Sequence, residues 1–222
     1  MKNSYSQIGQ DVFALLMSGK KKGGFYVDVG CREPFVFNST WLLEEQFEWK
    51  GVSVDLVDYK DSWESRKSNF IQMDATTGDF KKVFADNNVP KVIDYLTHDL
   101  EGATTRYDGL INMPFDEYEY KIITIEHDEY RARNNRGPQR EFLKSKGYEL
   151  VCSNVLAGPC RGVKPAMTYE IKDNLGYWVT QEDWWVNPKY VSEEIYSPFL
   201  CDSEKWVNIF DKVKRGLGDR QL

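Results

Sequence analysis

Acidic side chains recur at the ends of short apolar runs along this sequence. The first run, FYVDVG, ends with Asp28 and Gly30, and the second, GVSVDLV, carries Asp55. The third run, FIQMDA, ends with Asp74 and Ala75. Because the carboxyl ends of parallel strands meet at one rim of a sheet, these acids are expected to face a common hollow. Acids in such a row are typical of sites where a ligand supplies hydrogen-bond donors or positive charge.

The spacing of these acids fits a nucleoside ligand. Gly30 allows a sharp turn and a close approach to the ligand, and Asp55 stands where a carboxylate can accept both hydroxyls of a ribose. Asp74 could accept a hydrogen bond from an adenine amino group. The turn after the first run reads VGCREPF, with one glycine, and neither GxGxxG nor a P-loop occurs. A ligand without phosphates, such as S-adenosylmethionine, therefore fits better, although turns and caps also favour Asp.

Helical segments separate the apolar runs, and this alternation implies βαβ units around a parallel sheet. Residues 158–183 are less regular and are predicted to form an insertion or a hairpin ahead of EDWWVNP. A C-terminal helix is predicted with one apolar face, which is either core or an oligomer contact. That face carries Trp206, Ile209, Phe210 and Val213. The other predicted elements are helices over 6–18, 40–49, 59–68, 80–88 and 138–146 and strands over 25–30, 51–57, 70–75, 91–102, 121–129 and 148–152.

Length and composition favour one domain with a substantial core. The chain has 222 residues, of which 41% are hydrophobic, and we predict a single domain over 1–222. Its core is expected over about 4–190, with a helical tail over 191–222. The net charge of −6 argues against broad nucleic-acid binding. The first residues show no apolar leader, and no run approaches the ~18 apolar residues of a membrane span, so a soluble, cytoplasmic protein is expected.

Several motifs together resemble one known family. DYLTHDLEG followed by ITIEH is the most specific pair, and SYSQIGQDVF, FYVDVG and EDWWVNP extend the likeness over most of residues 4–190. On these motifs the chain is similar to the FkbM family of S-adenosylmethionine-dependent methyltransferases. The resemblance implies a Rossmann-like class I methyltransferase fold, an α/β sheet of seven strands in the order 3-2-1-4-5-7-6 with helices on both faces. It also implies methyl transfer to a hydroxyl of a sugar, glycolipid or other small molecule.

The resemblance also implies a set of cofactor contacts. Three places depart from the family pattern: Asn38-Ser39-Thr40 stands where Ser-Asn-Thr is usual, Asp55 replaces a glutamate, and Thr104 follows Gly-Ala where a glutamate is frequent. The implied contacts are Gln7, Asp28, Gly30, Cys31, Thr40, Asp55, Asp74, Ala75 and Asp99.

The fourth and fifth apolar runs supply candidates for catalysis. Asp99 and Glu101 close the fourth run, and Glu126 and His127 close the fifth. His127 has the intrinsic pKa best suited to a general base, and Asp99 is the alternative because it is expected nearest the methyl group. A divalent metal held by Asp99, Glu126 and His127 is a second option, since a metal acidifies a hydroxyl without a dedicated base. His98 alternates with Asp99 and is expected to face away from it.

Two other functions stay open at the level of sequence. One is a nicotinamide-dependent oxidoreductase, against which the missing GxGxxG counts; the other is a nucleoside-binding scaffold without catalysis. The arginine-rich segment 130–140 is either a flap over an acidic or phosphorylated substrate or a solvated loop. The expected partners are a small-molecule or carbohydrate substrate and a second copy bound through the tail, with no nucleic acid. Candidates for stacking on sugar rings, or for core packing, are Tyr177, Trp178, Trp184 and Trp185.

Overall fold

A mixed sheet of nine strands forms the centre of the structure, a computed structural model that describes residues 4–102, 105–131, 134–160, 170–173 and 176–217. The strands are β1 (Phe25–Val29), β2 (Lys50–Asp55), β3 (Asn69–Gln72), β4 (Val92–His98), β5 (Glu119–Glu126), β6 (Glu149–Cys160), β7 (Glu170–Asp173), β8 (Gly176–Val186) and β9 (Cys201–Asp202). Their order is β3-β2-β1-β4-β5-β8-β6-β9, and β7 pairs with β8.

The directions of the strands identify the fold. β1 to β5 are parallel to their neighbours in this part of the sheet, whereas β8 lies between β5 and β6 and is antiparallel to both. When β8 is counted as the seventh strand of the predicted sheet, this is the predicted order 3-2-1-4-5-7-6, and the Rossmann-like fold of class I methyltransferases is confirmed. β7 and β9 are additions to it. β7 falls within the predicted insertion, whose residues 161–169 and 174–175 lie outside the described residues.

Helices cover both faces of the sheet. Because side chains alternate along a strand, Tyr26 and Trp184 join one apolar cluster while their neighbours Val27 and Trp185 join the other. The first cluster includes side chains of α1 and α2, and the second includes side chains of α4, α5 and α6. The helices are α1 (Gln10–Met17), α2 (Trp41–Phe47), α3 (Lys60–Trp63), α4 (Phe80–Asp86), α5 (Thr105–Asn112), α6 (Arg136–Ser145), α7 (Glu193–Tyr196) and α8 (Trp206–Leu217), with a short 3-10 helix at Ser197–Phe199.

One predicted helix is much shorter in the structure. The polar helix expected over 59–68 contracts to α3, and the chain then turns inward at Arg66. The Arg66 guanidinium forms a buried ion pair with Glu44 of α2 at 3.1 Å. A buried charge must be paired, so this contact takes precedence over continuation of the helix.

The C-terminal helix packs on the chain's own core. Trp206, Ile209 and Phe210 contact the first apolar cluster, and the Phe210 ring lies 6.0 Å from that of Trp184. The side chain of Val213 lies outside the described residues. The core interpretation of this face therefore holds for three of its four residues, and a homo-oligomer through the tail stays a prediction. Within the described ranges, no helix has the length and apolar character to cross a bilayer.

Candidate active site

Two adjoining cavities open at the carboxyl ends of the parallel strands. The first, here the β2 cavity, has a volume of about 280 Å³ and is lined by Gly30, Asp55, Asp74, Ala75 and Asp99 among others. The second, the β5 cavity, has a volume of about 260 Å³. Its lining includes Gln7, Cys31, Glu126, Tyr130, Arg131 and Gln181. Both cavities are bordered by Gly30, Arg32, Tyr59, Asp99 and Glu101, so the two hollows meet there.

The turn after β1 requires glycine. Gly30 has a φ of +83°, and a Cβ at this position would lie 1.9 Å from the carbonyl oxygen of Asp99. The Gly30 N–H donates to the carbonyl of Val54, and the Asp99 N–H donates to that of Val29. The ends of β1, β2 and β4 are thus drawn together with no room for a side chain, which fixes the backbone of Asp99 at the junction of the cavities.

Two backbone N–H groups fix the carboxylate of Asp55 at the end of β2. Its Oδ2 accepts the N–H of Arg32 and its Oδ1 accepts the N–H of Val57, each at 2.9 Å. The side chains of Leu56 and Val57 beside it are 65% and 53% exposed and line the same cavity. A carboxylate oxygen has two lone pairs, so Asp55 can still accept hydroxyls, and the apolar wall can cover a flat ring.

Asp74 and Ala75 complete the edge of the β2 cavity. Asp74 Oδ1 accepts the N–H and the hydroxyl of Thr76 at 2.8 and 2.7 Å. These hydrogen bonds lower the pKa of Asp74, which stands exposed at the rim, while Ala75 is buried. The structure therefore brings Asp55, Asp74 and Ala75 to one cavity, as the strand-end pattern predicts.

Asp28 and Thr40 line neither cavity. Thr40 donates its hydroxyl to Asp28 Oδ2 at 3.0 Å, and Arg66 donates to Thr40 at 3.2 Å. Burial raises the pKa of Asp28 to about 7. The guanidinium of Arg66 also donates to the carbonyl of Pro34 at 2.9 Å. These contacts hold the loop over 30–40 from behind, so the direct cofactor contacts expected of Asp28 and Thr40 are replaced by a supporting role.

A buried arginine contacts Glu126, a residue that lines the β5 cavity. Arg106 of α5 donates to Glu126 Oε2 from Nε at 3.0 Å and from Nη2 at 2.6 Å. It also donates to Asp128 at 3.1 Å and to the carbonyl of Gly102 at 2.7 Å. Arg106 therefore joins the segment after β4 to the segment after β5, which are the two sides of this cavity.

Asp99 and Glu126 form a carboxyl pair at the cavity wall. The two carboxyl groups both line the β5 cavity and act on each other, and burial raises the pKa of Asp99. Burial, and then the neighbouring Asp99, hold the pKa of Glu126 well above its usual range. Gln181 Nε2 donates to Glu126 Oε1 at 3.0 Å and to Gln7 Oε1 at 2.8 Å. Gln7 is thus part of the β5 cavity and does not line the β2 cavity.

Glu101 stands at the open mouth of both cavities. Its side chain is 67% exposed, with Arg32 at 3.8 Å and Arg131 at 4.0 Å. Exposed ion pairs at such distances contribute little to stability, so Glu101 is free to exchange partners.

His127 faces away from the cavities. Side chains alternate along a strand, and because Glu126 faces the β5 cavity, His127 points to the opposite side. There its Nδ1 accepts the N–H of Glu129 at 3.2 Å, and its Nε2 lies 3.7 Å from Asp183. Burial lowers the pKa of His127 to about 4. The base role predicted for His127 is therefore corrected.

The donors predicted for a metal do not converge. Asp99 and Glu126 face the β5 cavity, whereas His127 does not. Across the described part of the chain, no three His, Cys, Asp or Glu side chains are grouped as a metal site would require. His98 is also buried and lines neither cavity.

The arginine-rich segment and the tryptophans are mostly structural. Arg136 pairs with Glu129 at 3.2 Å, and Arg140 pairs with Asp183 at 2.7 Å, so among the described arginines of this segment only Arg131 lines the cavity. Arg133 lies outside the described residues. The tryptophans predicted as sugar platforms or core are fully buried and belong to the core: Trp178, Trp184 and Trp185.

Sequence reasoning missed Arg66, Arg106 and Gln181. Arg66 lies in a polar stretch that predicts a solvated helix, and Arg106 follows a strand end whose acids drew attention instead. Gln181 is separated from its partner Gln7 by 174 residues. For these three residues the sequence carried no usable signal. The orientation of His127, in contrast, could have been predicted, because strand alternation places its side chain opposite that of Glu126.

Comparison with known proteins gives structural likeness only. No protein family matches the sequence and no curated protein matches it, so nothing points to the FkbM family specifically. A proposed rRNA methylase from Clostridium thermocellum is 14% identical over 82% of this chain and 95% of its own, with a TM-score of 0.48. A precorrin-6y C5,15-methyltransferase from Geobacter metallireducens GS-15 is 10% identical over 79% and 85%, with a TM-score of 0.48.

A SAM-dependent methyltransferase from Archaeoglobus fulgidus is 12% identical over 80% of this chain and 93% of its own, with a TM-score of 0.43. Likeness at this level carries no argument about activity. The fold assignment accordingly rests on the strand order and directions observed in this chain.

Proposed function

We propose that this chain is an S-adenosylmethionine-dependent methyltransferase that acts on a hydroxyl of a small molecule or carbohydrate. The observation that carries the proposal is the junction of two cavities at Asp99. One cavity offers a positioned carboxylate and an apolar wall, and the other offers acids and amides. This arrangement suits a nucleoside cofactor on one side and a hydroxylated acceptor on the other.

The residues of the β2 cavity fit the cofactor. Asp55, fixed by two backbone N–H groups, would accept the ribose hydroxyls. Leu56 and Val57 would cover the adenine, with Ala75 and Asp74 at its edge. When bound, S-adenosylmethionine supplies an electrophilic methyl group on a sulfonium. Gly30 and Asp99 would border the end of the cofactor that faces the β5 cavity.

The β5 cavity would hold the acceptor and receive its proton. Asp99 lines both cavities, so its carboxylate is the group best placed to accept a hydroxyl proton as the acceptor oxygen is methylated. Glu126 lines the same cavity beside Asp99 and would orient it. Gln7 and Gln181 present amide groups that can hydrogen-bond a neutral, hydroxylated acceptor.

The alternatives have less support. A dinucleotide needs a helix N-terminus at the turn after β1, but α2 begins only at Trp41, and the preceding Thr40 is buried among Asp28, Asn38 and Arg66. A scaffold without catalysis would have no need for the two neighbouring carboxyl groups of Asp99 and Glu126 at the cavity wall. Both alternatives are decided by ligand binding and turnover.

Calorimetric titration tests the proposal. We expect S-adenosylmethionine and S-adenosylhomocysteine to bind and NAD not to bind. Asp55→Ala should weaken S-adenosylhomocysteine roughly 10- to 100-fold, because hydrogen bonds to a charged group contribute about 1.5–3 kcal/mol. The matched control is Asp58→Ala, an exposed carboxylate that caps the N–H of Lys60. Binding of NAD alone, or an equal effect of both variants, would overturn the assignment.

A turnover assay separates the enzyme from the scaffold. Release of S-adenosylhomocysteine is measured over a panel of hydroxylated sugars and small molecules, with an RNA fragment included. Turnover on the panel supports the enzyme, turnover on RNA alone overturns the acceptor class, and cofactor binding without any turnover favours the scaffold.

A further inference from the structure

Asp99 places a negative charge where the two cavities meet. It is a half-buried carboxylate that borders both cavities, and its backbone is fixed by the close approach of Gly30. Under the proposed function, the sulfonium must lie between the nucleoside and the acceptor. The Asp99 carboxylate is therefore the charged group that faces the reacting end of the cofactor.

The buried cation beside Asp99 is committed to other acids. Arg106 forms its close ion pairs with Glu126 at 2.6 Å and Asp128 at 3.1 Å, and a longer one with Glu101 at 3.9 Å. Its remaining contact is the carbonyl of Gly102. Among the described residues, no hydrogen bond or ion pair joins Arg106 to Asp99, so the Asp99 carboxylate faces the cavities without a cation in direct contact.

Among the described residues, the neighbours of this pair supply no further buried positive charge. Gln181 approaches Glu126 with a neutral amide. Glu182, the cross-strand partner of Glu126, is bound by the neutral groups Gln10 Nε2 at 2.7 Å and Trp184 Nε1 at 2.9 Å. The arginines at the cavity mouth, Arg32 and Arg131, have side chains 63% and 61% exposed, so solvent screens them.

We propose that Asp99 is a specificity-determining residue that makes the site prefer the cationic methyl donor over its neutral product. A half-buried carboxylate such as Asp99 attracts a nearby cation more strongly than an exposed one, because the surrounding protein screens less than water. Burial also raises the pKa of Asp99, which means that its charge gains from a cation. This inference rests on the proposed function.

Methyl transfer removes the positive charge of the sulfonium and the negative charge of Asp99, so the attraction between them is lost. The acceptor oxygen forms a bond to the methyl carbon while the bond from that carbon to sulfur breaks, and its electron pair stays on the sulfur. The acceptor proton passes to Asp99. The thioether and the protonated carboxyl are then both neutral, so the product is held less tightly than the donor and departs.

The test compares three ligands at pH 8 by calorimetry. These are S-adenosylmethionine, S-adenosylhomocysteine and sinefungin, which carries an ammonium group in place of the sulfonium. We expect the wild-type protein to bind both cationic ligands at least about tenfold more tightly than S-adenosylhomocysteine. Asp99→Asn should reduce this ratio to within about threefold. Asp99→Ser is a second neutral variant, and thermal unfolding verifies that each variant is folded.

The control is Asp108→Asn, which removes an exposed carboxylate from the same helix as Arg106 and should keep the wild-type ratio. If the wild-type protein binds the thioether as tightly as the sulfonium, or if folded Asp99→Asn keeps the preference, the inference is overturned while cofactor binding stands. If none of the three ligands binds, the proposed function itself fails.

Discussion

Two buried arginines, Arg66 and Arg106, each form an ion pair with a buried glutamate, but the two pairs differ in their position relative to the cavities. Each pairs with a buried glutamate, Arg66 with Glu44 at 3.1 Å and Arg106 with Glu126 at 2.6 Å. Glu44 lies wholly inside the protein and lines neither cavity, whereas Glu126 lines the β5 cavity. A buried ion pair is thus not in itself a sign of function. What distinguishes the two is whether the paired acid also faces an open cavity.

The largest expected effects come from removing either guanidinium. Arg66→Met and Arg106→Met each leave a buried carboxylate unpaired, and we expect each to lower the free energy of unfolding by about 3–5 kcal/mol. Chemical denaturation measures this loss. Arg131→Met is the control, because its side chain is 61% exposed and should cost under about 0.5 kcal/mol. A small loss for Arg106→Met would mean that its acids are not held ionised.

An intermediate effect is expected for Asp28, which belongs to the Arg66 side of the comparison. Its pKa rises from the ordinary 3.8 to about 7 in the folded protein, so the folded state binds a proton that the unfolded state has released. This contribution to stability is present below about pH 4 and is lost as the pH rises to about 7. Asp28→Asn should remove a pH dependence of up to about 4 kcal/mol.

Denaturation curves between pH 4 and 8 measure this difference. The exposed Asp58→Asn should keep the wild-type profile. If Asp28→Asn and the wild-type protein lose stability in parallel over this range, Asp28 is ionised throughout, and the network around Arg66 carries one more negative charge than it would with a protonated Asp28.

A smaller effect is expected at the turn that joins the two sides. Gly30→Ala places a Cβ 1.9 Å from the Asp99 carbonyl at a φ of +83°, and we expect a loss of about 2–3 kcal/mol together with weaker S-adenosylhomocysteine binding. Gly137→Ala is the matched control, since nothing lies within 4 Å of its added Cβ. Normal stability of Gly30→Ala would show that the β4 end moves aside, and the fixed position of Asp99 would be disproved.

The acidic residues that line the β2 cavity could be predicted from the sequence, whereas the contacts around the β5 cavity could not. Asp55, Asp74 and Asp99 follow apolar runs, and the geometry of a parallel sheet alone brings such residues to one rim. Arg66 and Arg106 could not be predicted because their role depends on packing against acids from other elements. Gln7 and Gln181 meet only after the chain has closed around the sheet. His127 was misassigned on its intrinsic pKa, although alternation along β5 already placed it opposite Glu126.

The packing of the last helix has a bearing on the acceptor side. An added Cβ on Gly9 would lie 2.5 Å from the ring of Phe210, so the C-terminal helix presses directly on the turn that starts α1. Gln7, two residues before that turn, lines the β5 cavity. The C-terminal helix therefore supports the segment that brings Gln7 to the β5 cavity, and we expect loss of the Phe210 ring to loosen the wall where the proposed acceptor would rest.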